Sequence, residues 1–230
     1  MSTTQQKEPI IARMLRVIWA NRLLVLLVAA LIGFIYILEE ILSGDILELD
    51  SAAYRFFVVF ARRPWLTTIM EGFSALASPV VLAVMLLVIA AFAPGHMPGR
   101  CATANLVLAV GLNFVLKSIV QRPRPDGFRL VAESGYSFPS GHSMVSMAFY
   151  GLVVWMVWRY EKDRILRIFL MLAFSLVIAT VGISRIYLGV HYASDVIAGF
   201  CVSLVWLMFF TRVFVPIFMQ DEPPENQQSR

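Results

Sequence analysis

Two histidines and an aspartate in the C-terminal half of the chain have the spacing of a working group. His191 and Asp195 stand four residues apart, so on a helix they share a face. An Asp195 carboxylate that accepts a hydrogen bond from His191 Nδ1–H fixes the tautomer and leaves the Nε2 lone pair free to attack. His142 follows Pro139, Ser140 and Gly141, directly before an apolar run. Ser140 is placed to cap a helix there, and Gly141 lets the backbone approach a ligand. The unpaired first-turn N–H groups then make an anion site with His142 at its rim. Lys117 and Arg124 bracket a segment in which Pro123 and Pro125 stop a helix and hold Arg124 in extended backbone. Arg185 precedes His191 by one short turn. Each cluster alone has an ordinary explanation: a positive span flank, a simple N-cap, a polar pair at a span end. Together they offer three cations and neutral donors for a phosphate dianion, a nucleophile with its orienter, and an acid for the leaving oxygen. Those are the parts of an in-line phosphoryl transfer, complete without a metal cluster or a cofactor.

The elements that must position these residues are membrane spans. Of the 230 residues, 59% are apolar and 15% charged, against about 25% charged in a soluble domain, and the mean hydropathy is +0.76. Such a chain cannot hide its apolar surface in one water-soluble core, so lipid is the solvent for much of it. Six stretches are long and apolar enough to cross: roughly 17–38, 68–93, 101–119, 141–158, 165–183 and 192–217. The second is interrupted by Glu71 and Pro79, and its productive part starts near Ser78. The expected fold is all-α, a polytopic membrane helical bundle with about six transmembrane spans. It divides into a cytoplasmic N-terminal segment (1–16), a membrane-embedded domain (17–219) and a polar tail (220–230). Asp50 to Arg63 reads as an amphipathic piece at the interface.

Lys7, Arg13, Arg16 and Arg22 precede the first apolar run, and Glu39-Glu40 follow it instead of a small-residue cleavage site. That pattern predicts an uncleaved span and not a signal peptide. With the N-terminus inside, the loop holding Arg159, Lys162, Arg164 and Arg167 is also inside, and all three motif clusters reach the outer face. Arg55, Arg62 and Arg63 on the outside run against the positive-inside rule. Loop bias and an anion site account for the net charge of +4, so nucleic acid is not an expected partner. Cys101 and Cys201 form no metal or disulfide pattern and read as apolar fillers.

The pattern Lys-x6-Arg-Pro, Pro-Ser-Gly-His and Ser-Arg-x5-His-x3-Asp resembles the type-2 phosphatidic acid phosphatase superfamily. It is carried here by Lys117, Arg124, Pro125, Pro139, Ser140, Gly141, His142, Ser184, Arg185, His191 and Asp195. The resemblance implies a membrane phosphatase similar to bacterial undecaprenyl-diphosphate and phosphatidylglycerophosphate phosphatases. His191 would attack phosphorus and form a phosphohistidine, with His142 as acid and then base. Lys117, Arg124, Ser140, Gly141 and Arg185 would hold the phosphoryl oxygens. It further implies a lipid phosphate as substrate and an integral membrane protein of the bacterial cytoplasmic membrane, with its site facing outward. Two histidines in these roles predict a bell-shaped pH–activity profile.

Other residues are read more plainly. Arg122 is equally placed to touch phosphate or a headgroup. Tyr187 and Tyr192 read as belt aromatics, Glu71 as interfacial and His96 as a solvated loop residue. Two rival functions stay open: vanadate-dependent halide oxidation at the same kind of site, and a non-catalytic lipid-binding or transport protein. The headgroup and the oligomeric state are not legible.

Overall fold

The computed structural model describes residues 19–44, 47–92, 97–127 and 129–220. The expected N-terminal segment 1–16, the tail beyond residue 220 and His96 lie outside the described residues. Among the described residues eight α-helices run in order: α1 (Arg22–Leu42), α2 (Glu48–Tyr54), α3 (Pro64–Ala75), α4 (Pro79–Phe92), α5 (Met97–Val120), α6 (Gly141–Tyr160), α7 (Arg164–Tyr187) and α8 (Ala193–Gln220). A π-helical turn over Arg55–Phe60 extends α2. No strand occurs among the described residues. The fold is the expected all-α membrane bundle.

Among the described residues five helices are long and apolar enough to cross a membrane, and α3 with α4 makes a sixth if the bent pair counts as one span. The break expected near Ser78 is real: α3 and α4 meet at 53°. Pro79 opens α4, where its missing N–H costs nothing, and Ser78 Oγ accepts from the N–H of Val81 at 3.3 Å. At the elbow the carbonyl of Leu76 accepts from the Tyr150 hydroxyl at 2.8 Å. Helix begins earlier here than the apolar run implied, at Pro64, because Trp65, Leu66 and Ile69 extend it on the N-terminal side of Glu71.

The bundle packs around α6, which contacts α5, α7 and α8; α1 lies on α8 and α3 lies on α7. Lipid tails are as apolar as leucine, so such helices associate through close packing and interhelical hydrogen bonds. Leu82, Ala102, Phe149, Tyr150, Leu152, Ile178 and Phe210 form the packed centre. Asn105 ties three helices together: its Nδ2 donates to the Ala148 carbonyl at 2.7 Å and its Oδ1 accepts from Trp206 Nε1 at 2.8 Å. Ser203 Oγ donates across to the Met144 carbonyl at 2.9 Å. Such bonds contribute about 0.6–2 kcal/mol each in membrane bundles. Leu24 and Ile32 of α1, Leu87 of α4, Phe114 of α5 and Leu172 of α7 point outward and exposed, as side chains facing lipid must.

Glycine sets one approach that matters for the site. A Cβ on Gly199 would stand 3.1 Å from the Ser140 carbonyl and 3.2 Å from Ser143 Cβ. Its absence lets the first turns of α8 lie against the start of α6, bringing Asp195 beside Ser140.

Candidate active site

The three sequence clusters meet at one end of the bundle. The chain leaves α5 at Gln121, whose φ of 52° is left-handed, and runs without helix to Ser140. Ser137 N to Arg122 O at 2.8 Å closes this loop on itself, while Leu130 N to Leu188 O at 3.0 Å and Ser140 N to Asp195 O at 3.0 Å stitch it to the turn after α7 and the start of α8. Phe138 is fully buried against Ile37 of α1 and Ala198 of α8, and its ring stacks on Phe34 at 5.9 Å. The end of α7 is tied down from the other side, where Arg62 Nε and Nη2 donate to the Tyr187 carbonyl at 3.2 and 3.1 Å. These orphan-group partners fix the turn that presents His191.

His191 is buried with its two nitrogens in different surroundings. Nδ1 lies 3.4 Å from Asp195 Oδ2, and Nε2 lies 3.2 Å from Arg124 Nη1. A guanidinium only donates, so Nε2 is the lone-pair atom and the ring proton is on Nδ1. Asp195 Oδ2 also accepts from the Tyr192 N–H at 2.9 Å and from Ser137 Oγ, while Oδ1 accepts from Arg122 Nη1 at 2.7 Å. Burial pushes the His191 imidazole down to about 4; the hydrogen bond and charge of Asp195 pull the other way, and Arg124 and Arg185 reinforce the depression. The neutral form is therefore intact from pH 7 down to the neighbourhood of pH 4 and is lost below it. Any activity that uses the Nε2 lone pair should keep an acid limb near pH 4, well below an ordinary histidine. A kcat/KM profile measured down to pH 3.5 checks this, and a limb at the usual histidine value would contradict it.

Arg124 and Arg185 stand within electrostatic reach of His191, and Lys117 lies beside those two cations. Arg124 is held by three main-chain carbonyls, Gly135, Ser134 and Val190, each at 3.0 Å. Arg185 donates from Nη1 to Ser74 Oγ at 2.5 Å and from Nη2 to Glu133. Its Nε is the one buried side-chain nitrogen or oxygen without a hydrogen-bond partner among the described residues. Lys117 Nζ donates to the Tyr136 carbonyl. Glu133 also reaches Arg124 at 3.5 Å. Burial works to raise its carboxyl, but the charge and hydrogen bond of Arg185 outweigh this and hold it below the usual carboxylate range. Ser140 caps α6 as expected, accepting from Ser143 N at 3.4 Å and Ser143 Oγ at 2.9 Å. His142 sits half-buried at the start of α6, within electrostatic reach of Glu133, Arg185 and His191.

The structure thus gathers Lys117, Arg124, Ser140, Gly141, His142, Arg185, His191 and Asp195 at one end of the bundle. Gly141 also does something its motif did not reveal: a Cβ there would stand 3.1 Å from Asn113 Oδ1, and Asn113 Nδ2 holds the Pro139 carbonyl at 3.2 Å. Two readings need correction. Arg122 is turned away from any headgroup and buried in ion pairs with Asp50 and Asp195, at 2.9 and 2.7 Å. Tyr187 is no belt aromatic; it is buried, and its hydroxyl joins Thr67 Oγ1 at 2.9 Å and the Arg63 N–H at 3.0 Å. Tyr192 lies beneath the Arg122 guanidinium at 4.0 Å. Sequence reasoning missed Asp50, Ser74, Asn113, Glu133 and Ser137. An amide inside an otherwise apolar stretch was the available signal for Asn113; Asp50, among Glu48 and Ser51, and Ser74 carried none.

The bundle, with basic side chains gathered near a buried histidine–aspartate pair at one end, resembles those of integral-membrane phosphatases. The model of the PAP2 superfamily matches residues 99–218, and the chain belongs to that superfamily. It is 33% identical to phosphatidylglycerophosphatase B of Bacillus subtilis (strain 168), over 77% of this chain and 88% of the relative. It is 30% identical to human (Homo sapiens) dolichyldiphosphatase 1, over 50% of this chain and 53% of that protein. The crystal structure of the transmembrane PAP2-type phosphatidylglycerolphosphate phosphatase from Bacillus subtilis superposes with a TM-score of 0.72 at 28% identity, covering 83% of this chain and 96% of that one.

Proposed function

We propose that the protein is a lipid phosphatase that takes phosphate from a lipid monoester or diphosphate onto His191 Nε2 and then passes it to water. The observation that carries this reading is the Nε2 lone pair, set by Asp195 behind it and facing Arg124. In the first half, Nε2 attacks phosphorus and the bond from phosphorus to the lipid oxygen breaks. The electron pair stays on that oxygen, which takes a proton from His142. In the second half, His142 accepts a proton from water as the water oxygen attacks phosphorus. The P–N bond breaks and the lone pair returns to Nε2.

Arg124, Lys117, the Ser140–Gly141 segment and Arg185 would hold the phosphoryl oxygens, with the unbonded Arg185 Nε as a donor ready for one of them. Three cations supply the charge stabilisation that a metal ion supplies elsewhere, so the reaction is proposed to be metal-independent. Lys117 and Tyr136 form the more exposed side of the cradle, where a headgroup would approach from the membrane surface. The basic segment between α6 and α7, with Arg159, Lys162, Arg164 and Arg167, lies at the opposite end of those helices from the site. This supports an outward-facing site in a bacterial cytoplasmic membrane. Similarity to phosphatidylglycerophosphatase B over most of the chain makes phosphatidylglycerophosphate the first substrate to test.

The test is phosphate release in detergent with EDTA present, from phosphatidylglycerophosphate, phosphatidic acid and a polyprenyl diphosphate. Release that EDTA leaves unchanged, with one lipid preferred at least tenfold in kcat/KM, is the expected result. Release that stops with EDTA and returns with a divalent cation would overturn metal independence. A folded protein that hydrolyses none of the three would favour the binding or transport reading.

A further inference from the structure

Asp50 has no place in the sequence motifs, yet it is among the most buried charged residues and lies one ion pair away from Asp195. Arg122 joins them: Nη2 donates to Asp50 Oδ2 at 2.9 Å and Nη1 to Asp195 Oδ1 at 2.7 Å. Ser194 closes the circuit. Its N–H donates to Asp50 Oδ1 at 2.8 Å, its hydroxyl donates to Asp50 Oδ2 at 2.7 Å, and the same hydroxyl accepts from Arg122 Nη1 at 2.8 Å. Both carboxylates are shielded from solvent, and the Tyr192 ring covers the guanidinium.

Two consequences follow from this arrangement. Ser194 belongs to the first turn of α8, whose N–H groups have no partner within the helix. Asp50, from a segment 144 positions earlier, supplies that partner and so fixes the turn carrying Asp195. It also sets the charge balance. One guanidinium between two carboxylates leaves a net negative charge behind His191. Had Asp195 the guanidinium to itself, its negative potential at the imidazole would be cancelled.

We propose that Asp50 is a positioning residue for the nucleophile: it shares Arg122 with Asp195 and thereby keeps Asp195 able to support positive charge on His191 during phosphoryl transfer. The proposal rests on the reading of His191 as nucleophile. The other charged groups facing His191 are Arg124 on the loop, Arg185 on α7 and His142 on α6, and Glu133 and Lys117 stand beside these. All of them are common to the variants below and leave the comparison to the Asp50–Arg122 charges.

The test compares Asp50→Asn, Arg122→Gln and the double variant, with Asp50→Glu as the charge-conserving control. The assay is phosphate release across pH, after folding is verified by size-exclusion profile and melting in detergent. The net charge behind His191 is zero in D50N, minus two in R122Q, and minus one in both the double variant and the unaltered protein. D50N is expected to lose about 10- to 100-fold in kcat, the scale on which outer partners of a reactive group act, with KM within about twofold. Its acid limb should move down by about one pH unit. R122Q should move the limb up, and the double variant should return it towards the unaltered position. A purely structural role would lower melting temperature without this ordering of limbs. Limbs that coincide in all variants would overturn the proposal, while an inactive His191→Gln would leave the nucleophile standing. If D50N does not fold, the limb of R122Q decides: a rise supports the shared-guanidinium account and an unmoved limb overturns it.

Discussion

Replacing His191 with glutamine is expected to lower phosphate release by about 10⁴-fold or more at every pH, with the protein still folded. Losing a covalent nucleophile removes the first bond-forming step altogether, and what survives is the contribution of binding and charge. Glutamine keeps an acceptor for Arg124 and fills most of the imidazole's volume, so the surrounding hydrogen bonds can persist. The same substitution should abolish transient labelling of the enzyme by substrate carrying labelled phosphorus. In the unaltered protein that label should be acid-labile and stable to alkali, as a phosphorus–nitrogen bond is. Release that persists in His191→Gln would mean that another group attacks phosphorus.

His142→Ala should divide substrates by their leaving groups. A monoester expels an alkoxide, which needs a proton as it departs, so its kcat should fall by about 10²–10⁴-fold. A lipid diphosphate expels a phosphate, a far weaker base, and its first step should slow much less. The second step, in which a base must take a proton from water, suffers with either substrate. The diphosphate reaction should therefore show a burst of leaving group followed by accumulation of phosphoenzyme. Rapid-quench measurement of both products checks this. Equal losses on both substrates without a burst would remove His142 from the role of acid.

The sequence was most informative where function is local. His191 stands just before the helical turn that carries Asp195, Ser140 caps the helix it precedes, and the prolines around Arg124 enforce an unwound segment. Each of those relations spans only a few residues, and spacing is enough to read it. The bundle was legible for a similar reason, because a span of about 20 apolar residues is dictated by bilayer thickness. The partners supplied across the fold were not. Ser74 meets Arg185 only because α3 packs on α7. Asp50 reaches Ser194 because α2 folds back over the start of α8. Glu133 and Ser137 sit within a loop whose path no periodicity describes. Arg122 was misread because its neighbour Arg124 faces the cradle, and extended backbone sends residues two apart to the same side only when it is straight. Here the loop bends, and the two guanidinium groups serve different ends of the same imidazole.

The way Arg124 is held has a bearing on how the protein can change. Its guanidinium is fastened chiefly by the carbonyls of Ser134, Gly135 and Val190, with Glu133 as a longer side-chain partner. Substitutions along the loop that leave the backbone path alone keep all three acceptors. Most side chains on that loop can then drift, or be redesigned to suit a different headgroup, while the proposed phosphate clamp stays where it is. A library confined to residues 129–132, 134 and 136, which spares Glu133 and the left-handed Gly135, is the natural place to look for altered lipid preference without loss of turnover.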